Sequence, residues 1–329
     1  MNAKKKITQV DLARLLGFDR SSVSLALSHS DRISNETRRK VLEAARKYNY
    51  RPNMAARQLR SAKSNLLGLV IPDTFQALSE PVVVRTIQAL ASKAARQGMI
   101  FAIFSPAAFA EPEITGAATH LPDGLFVWGD MASDTLNSRI PDGHPVLVLD
   151  PNHLSYSKSA LASVKPDNAG GAAAMVRHLL DCGAKRLLFV MVLEDHLGHA
   201  ERWKGGREEW LRHKPGRSVS CTTLAQVTDQ TLREFVAKPG GAIFCSSDGG
   251  AIELWRRLKE MGVMMPGDVK LAGFDDTPAA RLIGLTSAVF DCERLAEAAL
   301  TQMLKMVAGK KTSGASPLVP VSIHQGTTT

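Results

Sequence analysis

The chain has 329 residues, 44% hydrophobic and 22% charged, enough for one small module and one large domain with a proper core. Residues 1–63 hold 15 Lys and Arg against 5 Asp and Glu, a net of +10, while the remainder holds 26 against 27, a net of −1. No apolar run reaches the length of a membrane span and the start lacks a signal-peptide core, so a cytoplasmic protein is expected rather than a membrane or exported one.

A basic block beside a neutral body suits a partner that is a polyanion, with the body serving another purpose. A solubilising tail would account for Lys4, Lys5 and Lys6, but not for arginines spread through patterned sequence up to Arg60. Cys182, Cys221, Cys245 and Cys292 are far apart without a C-x-x-C pair, and are expected to be reduced thiols.

The first element is predicted over "ITQVDLARLLG". Thr8 and Asp11 have capping-box spacing, Val10, Ala13, Leu15 and Leu16 form the expected apolar side, and Gly17 ends the helix. Asp19 can cap a second helix, in which Val23, Ala26 and Leu27 pack inward. Ser21, Ser24, Leu25 and Ser28 share the opposite face, with Arg20 at its amino end. Ser34 caps a third helix whose Val41, Leu42, Ala45 and Tyr48 are expected to point inward. Two short helices across a glycine turn with a supporting third are the layout of a helix-turn-helix. The small polar face after the glycine permits close approach to base edges in the major groove.

Next comes "RPNMAARQLRSAKS". Pro52 blocks continuation of the third helix, and Asn53 can cap a short one through Met54, Ala55, Ala56 and Leu59. At roughly two turns it is too short to stand alone in water, so it is a linker unless something holds it.

From Leu66 apolar runs alternate with helical stretches. "LLGLVIPD", "MIFAIFSP", "GLFVWGD" and "PVLVLD" form one series, and "RLLFVMVLE", "GAIFCSSD" and "VKLAGFDD" a second. Repeated βα alternation predicts parallel sheets covered by helices, here as two lobes with a cleft. Ligands of such sheets bind beyond the carboxyl ends of the strands, which here are acidic: Asp73, Asp130, Asp150, Glu194, Asp248 and Asp275. Roughly half of these are expected to serve only as helix caps. Phe75 and Trp128, also just after strands, fit either stacking on a sugar face or core packing.

The series D-x-A-x-x-x-G, V-S, S-x-x-T-R-x-x-V and Y-x-P-N-x-x-A-x-x-L over residues 7–73 resembles the headpiece and hinge of the LacI family of bacterial transcription regulators. The resemblance continues more loosely to the carboxyl terminus. It implies an α/β chain: a small all-α helix-turn-helix headpiece (1–51), a hinge (52–65) and a two-lobed periplasmic-binding-protein-like domain with parallel sheets (66–329). It implies that Arg20 and Ser21 reach base edges and that Ser22 and Ser24 contact phosphate or sugar. Thr8, Leu25, His29, Asn53 and Ala56 complete the expected DNA surface, with Leu59 as a wedge in the minor groove. Many members carry arginine where Leu25 stands, and leucine can touch only a thymine methyl.

For the cleft the resemblance picks out Asp150, Arg202 (in "RWKG", matching R-x-x-G), Ser247, Asp248 and Asp275, with Phe75 and Trp128 beside them. Carboxylates and a guanidinium suit a polyhydroxylated effector, a sugar or sugar derivative. Ser247 replaces a usual asparagine and Glu293 a residue that is often aromatic, both expected to alter what the pocket accepts. The implied partners are double-stranded operator DNA, the small effector and a second copy in a homodimer. No cofactor or metal is expected.

Enzyme signatures fail. No G-x-G-x-x-G follows a strand, and "GKKTSG" at Gly309 has Leu304 where a phosphate loop needs glycine. No serine sits in G-x-S-x-G, and the nine histidines show no metal spacing, His178 and His199 being read as helix-surface residues. A transport-type binding protein would not need residues 1–60. The expectation is therefore a ligand-responsive repressor.

Overall fold

The computed structural model describes residues 7–27, 32–48, 50, 64–71, 78–105, 121–129, 140, 143–151, 161–213, 219–310 and 317–329. The expectations for His29, Asn53, Ala56, Leu59, Phe75, Asp73, Asp130 and the hinge helix lie outside these residues. The chain divides into two compact units, residues 1–64 and 65–329.

In the first unit α1 (Gln9–Leu16), α2 (Arg20–Leu27) and α3 (Asn35–Lys47) enclose a small core. The Thr8–Asp11 capping box forms, with the Asp11 amide donating to Thr8 Oγ1 at 3.2 Å and the Thr8 amide to Asp11 Oδ2 at 2.9 Å. Gly17 closes α1 at φ 67°, the left-handed region where a β-carbon is penalised. The apolar stripe of α1 differs from expectation. Leu12, Ala13 and Leu16 face the core, while Val10 and Leu15 are exposed. The i, i+1, i+4 set centred on Leu12 is the one that meets Val23, Ala26 and Val41. Tyr48 is likewise exposed, under the Lys47 ammonium, and Ala44 and Tyr50 pack in its stead.

The second unit contains two six-stranded sheets. The first has the order β11-β5-β4-β3-β1-β2 and the second β12-β10-β9-β8-β6-β7. These strands are β1 (Leu66–Val70), β2 (Ile100–Phe104), β3 (Gly124–Trp128), β4 (Val146–Leu149), β5 (Ala162–Pro166) and β6 (Arg186–Met191). The rest are β7 (Val219–Thr223), β8 (Gly241–Cys245), β9 (Val269–Phe274), β10 (Thr286–Val289), β11 (Leu318–Val319) and β12 (Ser322–His324). The pairings are parallel except β12, which runs antiparallel to β10. The expected α/β class with parallel sheets is borne out.

Strands buried on both faces need helices on both sides, and the runs of Leu, Val and Phe reflect this. In the first lobe Leu67, Leu69, Phe126, Trp128, Leu147 and Leu149 face α4 (Pro81–Arg96) and α10 (Cys292–Val307). In the second, Phe189, Phe244 and Phe274 face α5 (Asn168–Asp181) and α6 (Leu197–His213). Its other face packs on α8 (Asp248–Glu260), and α7 (Asp229–Val236) and α9 (Pro278–Leu282) complete that layer.

The carboxyl-terminal segment returns to the first lobe as α10 and β11 and then crosses once more to place β12 in the second sheet. β4 and β9 hold the same place in their sheets, so residues just after them are structural counterparts.

Candidate functional site

In the headpiece α2 exposes Arg20, Ser21 and Ser24, half-covers Ser22 and Leu25, and buries Val23 and Ala26. The polar face expected from the sequence is therefore outward. Its amino end is organised by Asp19, whose Oδ1 accepts from the Ser22 amide at 2.8 Å and whose Oδ2 accepts from Ser22 Oγ at 2.6 Å. Ser21 Oγ also donates to Asp19 Oδ1. Hydrogen bonds from the Ser21 and Ser22 hydroxyls hold the Asp19 carboxyl far below the usual carboxylate range. In this arrangement Ser22 has no hydroxyl hydrogen left for a phosphate, contrary to the role expected of it.

In the second unit the carboxyl ends of the two sheets carry the charged cluster. Asp150 follows β4 and Asp275 follows β9, in counterpart positions, and both have left-handed backbone, φ 45° and 119°. Non-glycine residues rarely adopt these angles, and such strain gathers at binding sites. Each is pinned through its amide, Asp150 to the Val164 carbonyl at 2.9 Å and Asp275 to the Ala288 carbonyl at 2.7 Å.

Arg202, on α6, is 3% exposed. Its Nε donates to Asn168 Oδ1 at 2.9 Å, its Nη1 to the Ser246 carbonyl at 2.5 Å, and its guanidinium lies 3.7 Å above the Phe274 ring. Nη1 is also 3.5 Å from Asp275 Oδ1. Asn168 Nδ2 donates in turn to Glu201 at 3.1 Å, and Glu201 pairs with Lys165 from the first lobe. A continuous polar chain thus runs from Asp275 through Arg202, Asn168 and Glu201 to Lys165. The sequence reading missed its last three members, because 33 to 36 residues separate the bonded partners and no local pattern marks them.

The R-x-x-G motif has a packing cause. A β-carbon at Gly205 would lie 2.2 Å from the Ala169 carbonyl oxygen, so glycine lets α6 press against the start of α5. That contact brings Arg202, one turn earlier, onto Asn168. Gly205→Ala should therefore destabilise the second unit by about 1–3 kcal/mol, since backbone cannot yield as a side chain can. Thermal melting checks this, and an unchanged midpoint would contradict it.

Burial dominates the titration of the cluster. It pushes Asp150 up to about 6 and Asp275 to about 8, against the pull of Arg202 on both. Asp150 Oδ1 is buried with no hydrogen-bond partner, a cost that a ligand hydroxyl would remove. A carboxyl raised in the folded state holds its proton more tightly than in the unfolded chain. Stability is therefore lost as pH rises between the ordinary value near 3.8 and about 8. The melting temperature of the unliganded chain should fall between about pH 6 and 8 through this contribution, and Asp275→Asn should flatten that slope. Identical slopes in both proteins would contradict it.

Of three residues considered for the cleft, Trp128 takes its core alternative, Asp248 is corrected to a structural role and Glu293 lies at the surface. Trp128 is 7% exposed and lies in the first lobe's core with Phe126, two residues earlier on the same face of β3. Asp248 is fully buried and braces the fold: Oδ1 accepts from Ser287 Oγ at 2.6 Å and Oδ2 from the Thr277 amide at 2.7 Å. Both its oxygens are thereby committed inside the protein. Glu293 is exposed and pairs with Lys93 at 3.2 Å.

Ser247 is half-buried at the start of α8, and its hydroxyl does not cap that helix. His199 is buried rather than on a helix surface. Its Nδ1 accepts from the Leu193 amide at 3.2 Å and from Ser246 Oγ at 3.0 Å, which leaves the proton on Nε2. Burial and the charge of Arg202 lower His199 to about 2 and its neighbour His196 to about 4, so both are neutral. His178 is half-buried, with Nε2 2.7 Å from the Thr329 hydroxyl.

Among the described residues no helix is long and apolar enough to cross a membrane. Residues 8–53 match the profile of bacterial regulatory proteins of the lacI family, and residues 176–329 that of a periplasmic binding protein-like domain. The HTH-type transcriptional regulator CelR of Thermobifida fusca is 26% identical over 290 residues, 85% of each chain. The Lac repressor dimer bound to operator and the anti-inducer ONPF superposes with a TM-score of 0.73 at 21% identity, over 98% of this chain and 99% of that one. The solved complex of regulator CelR with cellobiose gives 0.65 at 22% identity, over 98% and 100%. With a capped helix-turn-helix in a strongly basic segment and two lobes whose strand ends share one charged cluster, the chain joins a lacI-family headpiece to a periplasmic binding protein-like domain, as LacI-family regulators do, and is a DNA-binding transcriptional regulator rather than an enzyme.

Proposed function

We propose that the chain is a repressor whose operator affinity is set by a small polyhydroxylated effector, a sugar or sugar derivative, bound by Asp150, Arg202, Asp275 and Ser247. The unpartnered, buried Asp150 Oδ1 beside a guanidinium carries this reading. Carboxylates take paired hydroxyl donors, and Arg202 supplies donors to ring or hydroxyl oxygens. The relative solved with cellobiose supports a sugar as the effector class. Hydroxyls donating to Asp150 and Asp275 favour their ionised forms, so effector affinity should rise with pH through the range where these groups titrate. Calorimetry of the full chain against mono- and disaccharides tests the site. One sugar that binds wild type and fails with Asp150→Asn supports it, and equal binding to both opposes it.

In the headpiece Arg20, Ser21 and Leu25 face base edges, while Thr8 and Ser24 lie towards the backbone of operator DNA. Leu59 is the minor-groove wedge and Asn53 and Ala56 belong to the same hinge surface. The protein acts as a cytoplasmic homodimer, which paired half-sites require. Leu282, 88% exposed on α9, and Ile100 and Ile103 on edge strand β2 are among the exposed apolar side chains available for self-association. Sedimentation equilibrium returning the mass of one chain would rule the dimer out. The lobes adjust around the effector, and the effector shifts DNA affinity only by its preference between the two lobe arrangements.

A further inference from the structure

The headpiece carries a carboxylate where DNA-facing helices are normally approached by phosphates. Asp19 stands immediately before α2, and its two oxygens take three hydrogen bonds from the next residues: the Ser21 hydroxyl, the Ser22 hydroxyl and the Ser22 amide. A serine hydroxyl has one hydrogen and two acceptor sites. An ionised carboxylate has no hydrogen to offer, so in each oxygen–oxygen contact the hydrogen belongs to the serine. The very low titration range of Asp19 keeps it ionised throughout physiological pH.

Ser21 is exposed on the outward face of α2, and with its hydrogen committed its oxygen can only accept. In the major groove adenine offers the N6 amino group and cytosine the N4 amino group as donors. Guanine N7 and O6 and thymine O4 only accept. An acceptor-only hydroxyl is matched by adenine or cytosine, and set against guanine or thymine it brings lone pairs together. A free serine would serve either kind of edge and so discriminate little.

We propose that Asp19 is a specificity-determining residue of the operator contact: it holds Ser21 as an acceptor-only reader that selects an amino-bearing base, adenine or cytosine, at the position Ser21 faces. The same carboxylate disarms Ser22 as a phosphate donor. Among the described hydroxyls of this face Ser24, exposed one turn further on, remains suited to donate to the backbone. The proposal rests on α2 being the base-reading helix.

Selection of binding sites from randomised duplexes tests it with the full chain as wild type, Ser21→Ala, Asp19→Ser and Asp19→Asn. Wild type should show a position in each half-site where adenine or cytosine is favoured by about fivefold to tenfold, the yield of one hydrogen bond gained against one repulsion. Ser21→Ala should lose the preference there alone. Asp19→Ser keeps a helix cap for the Ser22 amide, but its hydroxyl sits one bond closer to the backbone than Oδ1 and carries a hydrogen of its own, so it no longer fixes the Ser21 hydrogen and the same position should admit guanine and thymine while the others hold. Asp19→Asn should keep the preference without the charge, because the Ser22 amide needs an acceptor at the very atom that Ser21 also uses. This variant also covers the case in which Asp19→Ser melts the headpiece.

Guanine or thymine in wild type at the Ser21-dependent position overturns the proposal. So does an unaltered preference in Asp19→Ser, a lost one in Asp19→Asn, or a Ser21→Ala selection identical to wild type. Absence of any enriched sequence in wild type is a different failure, since it removes α2 as the reading helix and the proposal with it.

Discussion

Replacing Arg202 with alanine should abolish the effector response while leaving DNA binding by the unliganded protein intact. The side chain is buried and engages Asn168, the Ser246 carbonyl, Asp275 and the Phe274 ring together. Truncation strands the Asn168 and Ser246 acceptors and leaves Asp275 without its cation. Removing one member of such a hydrogen-bonded charge pair costs roughly 2–5 kcal/mol of binding, about 30-fold to several thousand-fold in affinity. Asp275 is already pushed up by burial and would take a proton rather than remain as an unpaired charge, so the loss of stability should be the smaller effect. Arg202→Lys should not restore binding. An ammonium at the end of a flexible stem cannot donate from Nε to Asn168 and from Nη1 to Ser246 at once. Calorimetry with the cognate sugar and melting curves separate the two effects. A near-normal affinity in Arg202→Ala would remove this residue from the site.

The other large effect concerns DNA. A chain starting at Asn65 should lose operator binding altogether and still fold and bind effector. Residues 65–329 contain both sheets with their own cores, and residues 1–64 form a separate compact unit. The net charge of +10 in residues 1–63 departs with the headpiece, and the rest is near neutral. Phosphate neutralisation releases counterions, so affinity of the full chain should fall steeply with salt, whereas the truncated chain should show neither affinity nor slope. Operator retardation by the truncated chain would place DNA binding elsewhere.

The sequence revealed most where one element carries its own signal. Capping residues such as Thr8 with Asp11, and Ser34, bounded the headpiece helices, because a cap is satisfied within three residues. Long apolar runs revealed the strands buried on both faces. β5 (ASVKP), β7 (VSCTT), β10 (TSAV) and the short β11 and β12 went unread, since a strand with polar residues, one at a sheet edge or one of two or three residues needs no apolar run.

In the cleft, position after a strand identified Asp150 and Asp275 correctly as members of the cluster but did not distinguish them from Asp248. What separates them is the partner: Ser287 and Thr277 lie 39 and 29 residues from Asp248 and satisfy it completely. Trp128 was ambiguous for a similar reason, because strand alternation says which residues share a face but not which face a helix covers. His199 was misread because helical spacing alone does not reveal that the Leu193 amide and Ser246 converge on its ring.

Sequence-specific DNA binding under effector control is the property on which the roles of both units depend. It is tested most directly by anisotropy titration of the full chain with its selected palindromic duplex and with a scrambled duplex of equal length, at one salt concentration, with and without the cognate sugar. The expected result is at least about 10³-fold tighter binding to the palindrome, with the sugar changing that affinity and not the scrambled one. Equal affinity for the two duplexes, or no response to a sugar that calorimetry shows bound, would contradict it.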